Sequence, residues 1–263
     1  MLLKDQLDRL VNLEKTPKRI VSLVPSQTEL LCYLGLEEAI VGVTKFCVKP
    51  KHLLKEKVVV GGTKNLHTDR IIALEPDIIC CNKEENTEAI VRIMSKIAPV
   101  HVSNINTIED CLELITMYGL MFDVNEKAQL LNKHILNAKI SFQNAISLKL
   151  KVEVAYFIWK DPWMVAGSYT YINYMLALNG FKNHFQNLSR YPEVSMTKKY
   201  PDVNYVFLSS EPFPFSEKHI HLLQPYFPNA TIWCVDGEMF SWYGSRLLKS
   251  FEYFKKLHQK IES

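Results

Sequence analysis

Between Gly119 and Pro162 the chain contains neither glycine nor proline. Within that stretch Leu131, Ile135, Ala138, Phe142 and Ala145 recur at spacings of four, three, four and three. This is one apolar stripe of a continuous helix. Asp123 is placed to cap its start, with Glu126 three residues later as in a capping box. A helix of about 26 residues is roughly 40 Å long. Such a rod joins two bodies more naturally than it fits inside one, and the lack of a Gly/Ser hinge argues against large closure.

Both sides of the rod alternate short apolar runs with helical patterns. Before it, 19–24, 40–43, 77–81 and 100–102 read as strands, and 27–36, 87–97 and 107–122 as helices. After it, 152–159, 204–208 and 231–235 read as strands, and 171–178, 218–223 and 245–261 as helices. Alternation of this kind marks parallel βαβ units. The fold class expected is α/β: two Rossmann-like lobes joined by one long rigid helix, with a ligand cleft between them. The division expected is an N-terminal lobe over 1–122, a bridging helix over 123–150 and a C-terminal lobe over 151–263.

Composition narrows the function. Thirty-one Lys+Arg against 28 Asp+Glu leave no basic footprint for nucleic acid. The first seventeen residues carry six charges and lack the apolar run of a signal peptide. Cys32, Cys80, Cys81, Cys111 and Cys234 lie in apolar segments with no CxxC, so the expectation is buried thiols and no disulfide framework. The eight histidines are scattered, so no protein-only metal site is expected. There is no GxSxG, Walker loop or GxGxxG, and no catalytic residue is assigned.

In open α/β sheets ligands bind beyond the carboxyl ends of the strands. In the first lobe these ends offer Ser26 and Gln27 at a helix start, then Lys45 and Phe46, then Asn82, Lys83 and Glu84. Ser26 followed by Glu29 reads as a capping box. In the second lobe they offer Trp159 and Trp163, Phe213 and Phe215, and Glu238, Trp242, Tyr243 and Arg246, with Arg190 nearby. Large rings in loops are costly unless covered, so a ring-lined cleft for a large flat or cationic ligand is expected.

The segments RIVSLVPSQTELLCYLGL, VGVTKFC and VVVGGTKNLHTDRIIALEPDII resemble the first lobe of the class III periplasmic-type binding proteins. These helical-backbone receptors deliver cobalamin, haem and ferric siderophores to ABC importers, and the resemblance covers about residues 18 to 260. RYPEVS, SSEPFPF and DGEMFSWYGSR look like a subfamily of it. The resemblance implies two Rossmann-like lobes on one helix and a metal chelate held by stacking and hydrogen bonds. It places Phe46 where cobalamin binders carry a tyrosine against the corrin, Asn82 where they carry a tryptophan, and Trp242 near a second-lobe tryptophan. It also implies docking on a permease through one surface carboxylate per lobe, here Glu88 and Glu238.

The expectation is therefore a monomeric, non-enzymatic substrate-binding protein of an ABC importer with no intrinsic cofactor, taking a corrinoid or another chelate. By resemblance it works in the periplasm or cell envelope, and a cytoplasmic setting is the alternative. Two other readings stay open. One is an intracellular enzyme or metallochaperone using Cys47, Glu84 or Glu238. The other is an interaction module whose exposed rings cover a partner protein.

Overall fold

The computed structural model describes residues 1–146 and 152–262. They divide into two compact units. The first is Met1–Asn137 with Tyr243–Leu248, and the second is Ala138–Trp242 with Lys249–Ser263.

The first unit opens with β1 (Leu2–Lys4) and β2 (Leu10–Asn12), an antiparallel pair. Then come β3 (Ile20–Ser22), α1 (Pro25–Tyr33), β4 (Ile40–Val43), α2 (Leu53–Glu56), β5 (Val58–Val59) and α3 (Thr68–Ala73). They are followed by β6 (Ile78–Asn82), α4 (Glu88–Met94), β7 (Val100–Ser103), α5 (Ile108–Met121) and α6 (Asn125–Ala145). The strands β5-β4-β3-β6-β7 form one parallel sheet in that order. Every residue of β3, β6 and β7 is buried. Helices cover both faces of such a sheet, which is why these strands read as unbroken apolar runs rather than alternating ones.

The second unit contains β8 (Val152–Trp159), β9 (Met164–Val165), α7 (Tyr171–Leu178), β10 (Phe181–Asn183), β11 (Tyr205–Ser209), α8 (Ile220–Leu223), β12 (Thr231–Val235) and α9 (Gly237–Ser241). Its parallel order is β10-β8-β11-β12, with the short β9 antiparallel on β8. Phe157, Val206, Leu208 and Phe227 are fully buried at its centre. Among the described residues no helix is long and apolar enough to cross a membrane.

Within the stretch expected as a rod, 123–150, the helix is α6 over Asn125–Ala145, and 147–150 lie outside the described residues. Leu131, Ile135 and Phe142 of the stripe are buried, Ala138 is half-buried and Ala145 is exposed. Asp123 does not cap α6. Its φ of 56° makes it the left-handed residue that ends α5, and Val124 N donates to Gly119 O at 2.9 Å in a Schellman-type closure. Gly119 is required there, because a Cβ would meet that of Ala128 at 2.7 Å.

The chain enters the second unit along α6, returns at Tyr243 and leaves again after Leu248, within α10 (Leu247–Glu262). The returning segment is bound by first-unit residues. Gly244 N donates to Cys111 Sγ at 3.1 Å, and Arg246 meets Glu29. The cysteines are all free. Cys47, Cys80, Cys81 and Cys111 are fully buried, whereas Cys234 is exposed on β12, contrary to the expectation from its apolar surroundings.

Candidate functional site

In the first unit the chain leaves β3 for β4 on one side and later returns to β6 on the other. The crevice therefore falls at the carboxyl ends of β3 and β6. Beside it, Phe46 follows β4 and is 48% exposed. Its ring lies over Gly62, where a Cβ would come within 3.2 Å of Phe46 Cε2. The turn that carries Gly62 is closed by Lys45 N to Gly61 O and Gly62 N to Asn65 O, both 2.8 Å. Gly61 has φ 120°, and a Cβ there would strike Asn65 O at 2.4 Å. Lys45 Nζ stands 5.1 Å from the Phe46 ring centre. Lys83 is exposed and Glu84 half-buried in the loop after β6.

Four other expected contacts of this unit are structural. Gln27 is fully buried. Its Nε2 lies 2.6 Å from Ser103 Oγ, 3.0 Å from the Tyr243 hydroxyl and 3.1 Å from Cys81 O, while the Tyr118 hydroxyl donates to its Oε1 at 2.6 Å. Ser26 also bonds the Tyr243 hydroxyl, whose pKa is pushed up to about 12 by burial. Ser26 does not cap α1. Pro25 takes the first helical turn, Val24 stands at the cap without a side-chain bond, and Glu29 is used elsewhere. Asn82 is buried, with Oδ1 accepting from Glu84 N at 2.8 Å and Nδ2 donating to Ser103 Oγ at 2.9 Å. Arg246 is 3% exposed, with Nε 2.9 Å from Glu29 Oε2 and Nη2 2.8 Å from Oε1. That ion pair, with one hydrogen bond through Nε, engages the guanidinium expected to face a ligand.

In the second unit the crevice falls at the ends of β8 and β11. Trp159 is 38% exposed and meets Phe213 edge-on, ring centres 5.7 Å apart. Trp163 is half-buried and stacks on Phe215 at 6.0 Å and 8°. Phe213 and Phe215 touch at 4.7 Å. These four rings form one shelf, but Phe215 itself is buried in the core. Trp242 is likewise buried, as is Tyr243 of the first unit, and neither is a free ring face. Arg190 is exposed, has φ 65° and donates through Nη1 to Tyr169 O at 2.9 Å. Glu238 is half-buried in the first turn of α9.

Cys47 is not an activated thiol. Burial raises its pKa, and Sγ lies 3.1 Å from Thr28 Oγ1 and 3.3 Å from Thr44 Oγ1. A surface hollow of about 620 Å³, lined by Glu217, Ile220, His221, Gln224 and Pro225, holds none of the expected residues. Glu37, His52 and Glu56 bring ligand-type atoms within 4.8 Å of one another. They lie at the surface, with His52 Nε2 2.6 Å from Glu37 Oε1 in a hydrogen bond. Sequence reasoning missed Glu85. Burial, reinforced by the neighbouring Glu84 charge, raises its pKa, and its side chain bonds Thr63. Its signal was a second acid between two asparagines, N-K-E-E-N.

The sequence pattern of a family described as periplasmic binding protein matches residues 20–208. An uncharacterized ABC transporter substrate-binding lipoprotein of Bacillus subtilis is 30% identical over 182 residues, 66% of this chain and 57% of that protein. A vitamin B12-binding protein of Vibrio parahaemolyticus is 23% identical over 181 residues, 68% of this chain and 66% of that protein. The matched segment thus spans a little under two thirds of these relatives' length. The solved petrobactin-binding protein of Bacillus subtilis superposes with a TM-score of 0.80 at 20% identity, over 100% of this chain and 99% of that one. With its family pattern running through most of both α/β units, the chain belongs to the periplasmic binding proteins.

Proposed function

We propose that this protein is the substrate-binding component of an ABC importer and captures a metal chelate, most specifically a corrinoid. The observation that carries the reading is the pair of exposed rings at strand ends, Phe46 in the first unit and Trp159 in the second. Each unit sets its ring among charged or aromatic groups suited to a large conjugated ligand. Lys45 accompanies Phe46, with Lys83 and Glu84 in the loop after β6; Phe213 meets Trp159, and Lys160 stands over Trp163. Arg190 and Glu238 add charged groups to the second unit. The B12-binding relative supports the corrinoid, and the petrobactin-binding neighbour shares the fold.

A preformed ring surface has little ordering cost on binding, so affinity rests on the rings rather than on closure. Glu88 supports permease docking from the first unit. Its side chain is 90% exposed at the start of α4, with Arg92 Nη2 3.3 Å away. Glu238 is the counterpart proposed for the second. The place of action that fits such a partner is the periplasm or cell envelope, and the chelate is cargo rather than a resident cofactor. The enzyme reading loses Cys47, whose thiolate burial disfavours.

Phe46→Ala and Trp159→Ala are each expected to weaken cobinamide binding at least about tenfold, as truncation of a stacking anchor does. Calorimetric titration checks this, with thermal unfolding showing that the exposed positions leave the fold intact. Affinities of both variants within about twofold of the parent would remove the rings from the site.

A further inference from the structure

We propose that Glu85 selects the chelate at the first-unit site, its carboxylate accepting hydrogen bonds from amide or hydroxyl groups of the ligand and turning away ligands that present carboxylates there. The proposal rests on the receptor reading above and names the ligand chemistry for the same site.

Glu85 lies in the loop that leaves β6 at the crevice of the first sheet. Both ends of that loop are anchored by buried asparagines. Asn86 Oδ1 accepts from Asn82 N at 2.9 Å, and Asn86 Nδ2 donates to Thr63 O at 2.9 Å. The backbone between them is therefore held in place, and Glu85 is presented from a fixed position. Its carboxylate bonds the Thr63 side chain. Thr63 adjoins Gly62, the residue on which the Phe46 ring lies. The charge of Glu85 also reaches Cys47, after β4, and the Tyr243 hydroxyl. Glu85 thus belongs to the strand-end cluster that contains the exposed ring.

A carboxylate offers about four acceptor positions, and Thr63 uses one. Among the described residues no ammonium or guanidinium is in contact with it. Lys64 acts only from a distance, and Glu84 adds like charge. Burial raises its pKa even with the Thr63 side chain beside it, so further hydrogen-bond donors favour its charged form. Such groups concentrate where a ligand completes them. A partner with N–H or O–H donors satisfies the remaining acceptors, whereas a ligand carboxylate placed beside Glu85 meets repulsion and is left without donors. The periphery of a corrinoid is rich in primary amides. Haem presents propionates at its edge.

Equilibrium dialysis read by visible absorbance tests this with dicyanocobinamide and haemin as probes, at one pH and ionic strength. The proteins compared are the parent, Glu85→Gln, Glu85→Ala and Thr63→Val. The parent is expected to prefer cobinamide. Both Glu85 variants are expected to lose at least about tenfold in cobinamide affinity while haemin affinity holds or rises. Thr63→Val removes the internal partner but keeps the carboxylate, and is expected to keep the preference. Should Glu85→Ala not fold, Glu85→Gln carries the test, since it keeps size and shape. Cobinamide affinities of the folded Glu85 variants within twofold of the parent would overturn the assignment and leave the receptor reading standing. A parent that prefers haemin would overturn the selection assigned to Glu85 and leave the receptor reading standing. A parent that binds neither probe would overturn the receptor reading, and the role of Glu85 with it.

Discussion

Replacing Arg246 by methionine is expected to lower the unfolding free energy by about 3–5 kcal/mol, the range for removing one partner of a buried ion pair. Arg246 is 3% exposed and the Glu29 side chain 14%, so little water reaches either charge. The effect comes from removing the guanidinium from the Glu29 carboxylate at the side of α1, not from lost packing, because methionine fills most of the same space. The double variant Arg246→Met with Glu29→Leu is accordingly expected to recover most of the loss, since replacing both charges by apolar groups is often neutral. Urea unfolding followed by circular dichroism measures both. A single variant within about 1 kcal/mol of the parent, or a double variant no better than the single, would show that the pair does not hold the returning segment.

Acid is expected to destabilise the protein through His101, between about pH 6.5 and pH 4. His101 is fully buried in β7, edge-on to Tyr118 at 5.5 Å and opposite Cys80 of β6. Neither ring nitrogen has a hydrogen-bond partner. Burial lowers its pKa to about 4, with Asp5 acting to raise it and Arg9 to lower it. The folded protein therefore keeps a neutral imidazole while the unfolded chain takes up a proton near 6.5, so stability rises with pH across that window. By pH 4 the loss amounts to about 3 kcal/mol, at 1.36 kcal/mol per unit. His101→Phe keeps the ring contact and is expected to flatten this part of the curve without abolishing the steeper loss at lower pH. An unchanged slope in the variant would assign the acid response to other groups, among them His258, whose pKa burial also lowers.

Elements that bury themselves by local pattern were legible in the sequence. Strands 40–43, 152–159 and 231–235 and helix 171–178 stand at the expected residues, because each is a short run whose own apolar pattern defines it. The β1–β2 hairpin was not, since three-residue strands with charged neighbours carry no period. It is held instead by Asp5, whose carboxylate accepts from Leu7 N, Arg9 N and Val102 N.

The candidate site was legible as a set of strand ends and not as a set of free side chains. Phe46 and Trp159 remain open, whereas Gln27, Tyr243 and Arg246 are consumed by partners up to 217 positions away. A residue's type and loop address do not reveal a partner at that distance, which only the folded sheet brings near. Asn82 was misread for the opposite reason. Its side chain closes its own turn, a local role that its position at a strand end conceals.

The most direct measurement is a titration of the purified parent protein with dicyanocobinamide, cyanocobalamin, haemin and a ferric siderophore, following tryptophan fluorescence. Trp159 and Trp163 stand at the proposed shelf. Saturable quenching at micromolar concentration or below is expected for cobinamide or cobalamin, weakened at least about tenfold in Phe46→Ala and Trp159→Ala. No saturable response to any of the four chelates would contradict a chelate receptor at these rings.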